Sequence, residues 1–432
     1  MISLLPYAIF LFCIIILIVG IKSQKDLFNP IVLFFGLWGI ITLLSSLHLF
    51  GLKEASNKAY IIILVGLLGF LSGFLLIQLL CKKTNIKRFS LISNNVYEIN
   101  YNVMYVLLLI SIIYTSFRVY RTFSLLAEGY GLFKVRLLSF EPINRSLIGL
   151  LDYYFRSYFI KGIVYICVIV AAVDYFAGKK DKKLLIMTLI LVLLSSISSG
   201  GRLTMYNFII VFLFALIIFR KNSQIQRKYI YIISVVFLSL IISMYVISIV
   251  RKKDFDLFRT LYVYFASCIP FMEYHVDIVS KTGEYVYGMG FFSGIIKPIL
   301  LFLSKVGILD RPDKFNLFNE LIADLQNVIN LGDVRYNAFV TLFYYFYFDF
   351  GHLGVLLGSL MYGAMSGFSY LSVKKKLNYL NVAIYLLIVQ GMFTSMIRWA
   401  FSVPAYVFAF GYLLFAFKKT KHRNQLEYES KE

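Results

Sequence analysis

Apolar runs of about twenty residues recur along the chain with short polar connections between them, and each is long enough to cross a bilayer core as a helix. They fall at approximately 3–21, 30–50, 59–81, 101–117, 158–177, 184–199, 203–219, 229–250, 352–373, 380–396 and 399–417. A helix satisfies its backbone within one segment, as lipid requires, so the pattern predicts an all-α, polytopic integral membrane protein with about eleven transmembrane helices. The first run, Met1 to Ile21, has no positive leading region and no small-residue cleavage site, and reads as a span rather than a removed signal peptide.

Lysines punctuate every second connection: Lys22/Lys25, Lys82/Lys83/Lys87/Arg88, Lys179/Lys180/Lys182/Lys183, Arg220/Lys221/Arg227/Lys228, Lys374/Lys375/Lys376 and the tail from Lys418 to Arg423. Positive residues accumulate on the cytoplasmic side, so the alternation predicts an N-terminus outside and a C-terminus inside. Two longer connections, 118–157 and 251–351, then form large external loops. In the second, Leu317, Leu321, Leu325 and Val328 recur at helical spacing beside Glu320 and Asp324, which predicts an amphipathic helix on the membrane surface. The stretch Ala338–Val373 is too long for one span and is interrupted at Asp349-Phe350-Gly351. It reads as an aromatic half-helix, a break and the ninth span, and broken helices at membrane depth usually line a cavity. Gly69-x-x-x-Gly73, Gly354-x-x-x-Gly358 and Gly363-x-x-x-Gly367 suit close helix packing and carry no chemistry. No repeat or linker divides residues 1–432, which read as one membrane domain.

Composition agrees: the chain is 60% hydrophobic, 18% aromatic and only 15% charged, with a mean hydropathy of +0.79. Cys13, Cys81, Cys167 and Cys268 lie in or beside apolar runs without metal or redox spacing and read as packing residues. A net charge of +21 would suggest nucleic acid in a soluble protein. Here topology accounts for the lysines, and no nucleic-acid partner is expected.

The arginines divide differently. Arg118, Arg121, Arg136, Arg145, Arg156, Arg202, Arg251, Arg259, Arg311, Arg335 and Arg398 fall outside, and only Arg88, Arg220, Arg227 and Arg423 inside. Guanidinium offers a planar fork of donors that binds phosphate oxygens in bidentate fashion, so an anionic, phosphate-bearing ligand outside is the natural reading. Arg202 and Arg398 stand at outer span ends, in Ser198-Ser199-Gly200-Gly201-Arg202 and Met396-Ile397-Arg398-Trp399. Gly200 and Gly201 would let a ligand approach and leave the first N–H groups of the next helix for an anion. Snorkelling to lipid phosphates is the competing account for these arginines and for Arg118, Arg121 and Arg251.

Other chemistry is sparse. His275, in Glu273-Tyr274-His275-Val276-Asp277, and His352, after the break, could take a proton from a hydroxyl, against the bland reading of hydrogen-bonded structural histidines. Asp254-Phe255-Asp256 matches a metal-holding tripeptide that is very common by chance, and no metal or cofactor is expected. Gly288-Met289-Gly290-Phe291-Phe292-Ser293-Gly294 lacks dinucleotide-loop spacing, and Walker, G-x-S-x-G and H-E-x-x-H motifs do not occur.

The Gly-Gly-Arg element at Gly200–Arg202, and the run Asn337-Ala338-Phe339-Val340-Thr341 leading to Asp349-Phe350-Gly351-His352-Leu353-Gly354, join two unequal arginine-bearing external loops and this number of spans. Together they resemble the Wzy-type oligosaccharide repeat-unit polymerases, membrane glycosyltransferases similar to the GT-C class. Arg118 and Gly129 have the Arg-x10-Gly spacing described in some members, although the second loop has no copy.

The resemblance implies polymerisation of undecaprenyl-pyrophosphate-linked repeat units into O-antigen or capsular polysaccharide at the outer face of the bacterial inner membrane, without a nucleotide sugar. Lipid-linked donor and acceptor, membrane lipids and a chain-length regulator would be the partners. On that reading Arg118, Arg202, Arg251, Arg335 and Arg398 hold pyrophosphate, with Gly200 and Gly201 as an anion loop. His352, Asp349 or His275 orients or deprotonates the acceptor hydroxyl, and exposed tyrosines such as Tyr262, Tyr264, Tyr344, Tyr345 and Tyr347 belong to the interfacial belt or stack on sugars. A flippase for the same lipid-linked oligosaccharide and an O-antigen ligase are the rival readings. A flippase would be expected to pair its broken helices, and the one clear break here has no counterpart.

Overall fold

The computed structural model describes residues 4–82, 97–131, 134, 135, 138, 147–220, 227–251 and 256–419. Helices dominate: α1 Leu5–Gln24, α2 Pro30–Ser46, α3 Asn57–Lys82, α4 Tyr101–Ala127 and α5 Leu147–Tyr154, which runs through a π-helical turn at Phe155–Ile160 into α6 Lys161–Ala177. They continue as α7 Lys182–Ser199, α8 Leu203–Phe219, α9 Arg227–Arg251, α10 Leu257–Ala266, α11 Cys268–Thr282, α12 Met289–Lys305, α13 Asp313–Asp324, α14 Thr341–Lys375, α15 Tyr379–Phe393 and α16 Pro404–Ala416. Local signals set several starts. The side chains of Asn29, Asp181 and Asn378 accept the first free N–H groups of α2, α7 and α15, and Pro30 and Pro404 open their helices where no N–H is needed.

Five helices, Leu5–Gln24, Asn57–Cys81, Tyr101–Ala127, Leu151–Ala177 and Lys182–Ser199, are long and apolar enough to cross a membrane. Pro30–Ser46, Leu203–Phe219, Ile230–Val246, Tyr379–Phe393 and Pro404–Ala416 are shorter apolar helices. The protein is a multi-pass helical membrane protein.

The two long connections are more structured than their composition suggests. Helix α4 carries on to Ala127, so Arg118 and Arg121 lie on a helix and not in a loop. Residues 147–160 are helical as well, which narrows the first connection from 118–157 to 128–146. The second connection folds into α10–α13 and a hairpin of β2 Ile329–Leu331 with β3 Val334–Tyr336. The expected amphipathic helix is α13, but its buried residues Phe315 and Phe318 turn inward, Phe318 stacking on Phe348 at 6.0 Å. Its most apolar positions find protein to cover them and are not left to cover a membrane surface.

The expected break is present. Phe350 (φ −149°, ψ 30°) and Gly351 (φ 62°, ψ −141°) leave helical geometry. Gly354 and Gly358 press against Phe346, so α14 is a hairpin of two limbs, 341–349 and 352–375, and not one rod. The second limb packs on α3 through glycines: Gly69 and Gly73 against the Leu356 and Leu360 carbonyls, Gly363 against the Phe70 carbonyl. The first limb is stitched to the break after α15, where Val340 and Leu342 donate to the Ile397 and Ser395 carbonyls at 3.2 and 2.7 Å.

The bundle has two distinct ends. At one, β1 Tyr97–Ile99 pairs with β4 Phe417–Lys419, Asp26 takes Lys374 and Tyr370, and Tyr379 donates to the Ala177 carbonyl at 2.7 Å. Also at this end, Asp174 and Asp181 take the Tyr101 and Tyr105 hydroxyls. This end gathers Lys25, Lys179, Lys374 and Lys419. The opposite end gathers α10, α11, the β2–β3 hairpin and most of the described arginines.

A side chain at Gly363 would collide with backbone, which a helix cannot fold away. Gly363→Ala is expected to destabilise the protein by roughly 1–3 kcal/mol, read as a lower melting temperature in detergent. Gly411→Ala, with nothing within 4 Å, should leave it unchanged.

Candidate functional site

The π-helical turn gives the site its geometry. Lys161 N–H donates to the Arg156 carbonyl, five residues back, and the two side chains lie within electrostatic reach of each other. Arg118 of α4, 6% exposed, donates to Asp152 at 3.4 Å, and the Tyr114 hydroxyl donates to the other Asp152 oxygen at 2.7 Å. One turn on, Arg121 has a buried Nη1 with no hydrogen-bond partner among the described residues. Arg398 arrives from the irregular segment after α15, where its N–H closes on the Thr394 carbonyl at 3.0 Å.

Lys161 lies within electrostatic reach of Arg156, Arg398 and Arg118, and Arg121 and Arg156 within reach of Asp152. Lys161 is also accessible, although Ile160 and Gly162 beside it are buried. Among the described residues, Arg118, Arg121 and Arg156 lie near Asp152, Lys161 lies near Arg118 and Arg156, and Arg398 lies near Lys161. Guanidinium forks of this kind suit phosphate oxygens.

The expected phosphate ligands separate. Arg118 and Arg398 belong to this cluster. Arg202 is next to it through Leu203, which lines a small cavity with Arg398, Tyr165, Gln390 and Thr394. Its guanidinium donates to Ser248 and Tyr264, and Tyr264 stacks on Phe339 at 5.5 Å. Of the expected anion loop, the Gly200 and Gly201 N–H groups themselves donate to the Ile197 and Ser196 carbonyls at 3.1 Å and close α7. Those amides are spent on the left-handed helix cap. Arg335 is exposed on β3, in the hairpin that Gly51 and Lys53 hold, and no described contact joins it to the cluster. The side chain of Arg251 and the residue Asp254 lie outside the described part. Asp256 caps α10, accepting the Arg259 N–H at 3.1 Å.

The three expected acid–base residues are also corrected in part. Asp349 is buried and accepts the Gly288, Gly290 and Phe291 N–H groups at 2.9, 2.7 and 2.8 Å, fastening the start of α12 to the hairpin tip. Burial pushes its carboxyl up to about 6 in spite of those three donors. Its lone pairs face amides, not a substrate. His275 is 2% exposed, wedged among Phe271, Tyr274 and Tyr344, and neither ring nitrogen has a hydrogen-bond partner among the described residues. Burial pushes it down to about 4, and it is walled off from any hydroxyl. His352 is exposed, with the Tyr347 ring edge-on at 5.4 Å.

Sequence reading missed Asp152, Arg156 and Lys161 as site residues. Only the five-residue spacing across a π turn relates the last two, and nothing local announces that turn.

Asp349 and His275 titrate in one pH window with opposite sign. The raised Asp349 value means its contribution to stability is complete below about pH 4 and is lost as pH rises to about 6. The lowered His275 value means its contribution is present above about 6.5 and is lost as pH falls to about 4. Each arm is worth roughly 3 kcal/mol. Relative to wild type, the melting temperature of Asp349→Asn should therefore rise from pH 4 to 6, and that of His275→Phe should fall. Flat differences would contradict the burial of both groups. Comparison of the chain with family models, with curated proteins and with solved structures finds no match.

Proposed function

We propose that the protein is a membrane glycosyltransferase that joins lipid-linked oligosaccharide repeat units into a surface polysaccharide, O-antigen or capsule, at the outer face of the inner membrane. On this reading the chain crosses about eleven times, with the lysine-bearing end in the cytoplasm and the cation cluster outside. The observation that carries it is the gathering of Arg118, Arg121 and Arg156 near Asp152, with Lys161 beside Arg118 and Arg156 and Arg398 beside Lys161. The resemblance to Wzy-type polymerases supports the same reading.

The chemistry asks for such a cluster. The acceptor hydroxyl oxygen bonds to the anomeric carbon of the donor glycan while the bond from that carbon to the pyrophosphate oxygen breaks. The leaving pyrophosphate takes the bonding pair and gains negative charge, which preorganised cations in a recess of low dielectric stabilise. The hydroxyl proton needs an acceptor. Asp152, whose carboxylate keeps lone pairs beyond those used by Tyr114 and Arg118, is the base within the cluster.

Deleting the gene should leave surface glycan as single repeat units with no ladder. Arg398→Gln and Lys161→Met, each still inserted in the membrane, should slow polymerisation by about 10²-fold or more, and Arg398→Lys should retain more activity than Arg398→Gln. A surviving ladder in the deletion strain would sink the reading. A flippase would instead leave precursor trapped inside with no single-repeat species, and a ligase would leave unattached polymer.

A further inference from the structure

The first limb of α14, residues 341–349, has different neighbours on its two sides. Tyr345 looks toward Arg398, whereas Tyr344 packs on His275 and Tyr347 lies near Lys58 and Asp277. On this second side an open cleft of about 670 Å³ runs between residues 53–57 and α11, within the size range of ligand sites. Lys53, Glu54, Glu273, Tyr274, Asp277 and Lys281 line it.

Three properties restrict what the cleft can hold. Its two lysines and three carboxylates are interleaved, so it offers no field of one sign to a polyanion, unlike the cluster around Asp152. Its walls are too polar for an acyl or prenyl chain. Two of its carboxylates are anchored: both Glu273 oxygens accept the Ser56 N–H at 3.1 Å, and Asp277 accepts Lys58, which also reaches Ser280 at 3.0 Å. A carboxylate so fixed keeps lone pairs for further donors.

Tyr274 adds a platform. Its ring is 45% exposed and is buttressed edge-on by His275 at 5.1 Å. That contact gives His275 a role as a packing wedge behind the platform. Fixed carboxylates paired with an exposed aromatic face suit a neutral, hydroxyl-rich ligand, whose hydroxyls donate to carboxylate oxygens while its C–H face lies on the ring.

We infer that this cleft binds a stretch of uncharged oligosaccharide, with Tyr274 stacking on one sugar and Glu273 and Asp277 accepting hydroxyls from its neighbours. That the bound glycan is the one being polymerised rests on the function proposed above; the binding does not. Donor phosphate and glycan chain then occupy opposite sides of one half-helix.

The test uses the full-length protein in lipid nanodiscs, and size-graded oligosaccharides released by mild acid from the surface polysaccharide of cells that carry the gene. Saturation-transfer NMR should show binding to wild type. Tyr274→Ala should weaken it about tenfold, Asp277→Asn should weaken it several-fold, and Tyr274→Phe, which keeps the ring, should retain it. Arg398→Gln should bind like wild type. The inference is overturned if no size class binds wild type, or if Tyr274→Ala and Asp277→Asn bind unchanged. Unchanged binding in those variants, with the ladder lost on gene deletion, would remove the cleft and spare the polymerase. A surviving ladder, with binding that Tyr274→Ala abolishes, would do the reverse.

Discussion

The contact between helix α3 and the folded-back helix α14 organises the rest of the molecule. Gly69 and Gly73 on one side and Gly363 on the other bring carbonyls and backbone together at distances no side chain would permit. In a bilayer, where burying apolar surface gives helices little reason to associate, such close packing is a main source of cohesion. With the long limb held, the short limb 341–349 has a fixed position. It then holds everything that touches it: the Arg398 segment through Val340 and Leu342, the start of α12 through Asp349, and α11 through Tyr344.

The ends of the bundle use charge in opposite ways. At the lysine-bearing end, acids are matched to donors: Asp26 with Lys374 and Tyr370, Asp174 with Tyr101 and the Lys179 and Asp181 N–H groups. Those pairs lock helix ends together. At the other end Arg118, Arg121 and Arg156 gather near Asp152. The π turn belongs to the same end. It sacrifices regular hydrogen bonding in a long helix, and Arg156 lies within electrostatic reach of Lys161 across it.

Left-handed backbone clusters near this machinery as well. Ala338 (φ 72°) and Thr341 (φ 71°) flank the entry to the short limb, inside the run Asn337–Thr341. Non-glycine residues rarely adopt this conformation unless their surroundings enforce it. Here the enforcing contacts are the Ala338 N–H to the Leu325 carbonyl at 2.6 Å and the Thr341 hydroxyl against the Met272 sulfur at 3.1 Å.

Much of the architecture was legible in the chain because it depends on local quantities. Apolar run length sets where helices form, and Asp349-Phe350-Gly351 announced a break because a polar residue and a glycine interrupt an apolar stretch. The spacing of Gly69, Gly73 and Gly363 announced close packing. Arg118 and Arg398 stood out because charge at a span end is costly wherever it points. What the tertiary structure alone decided is which polar groups meet. Asp349 and His275 look like acid–base residues in sequence, yet one is consumed by three amides from α12 and the other is sealed among aromatic rings. Lys161 looks like an unremarkable mid-helix lysine, yet it faces three arginines. Hydropathy and helical period act over a few turns of one segment, whereas a site is made by side chains from helices far apart in sequence, and only packing brings those together.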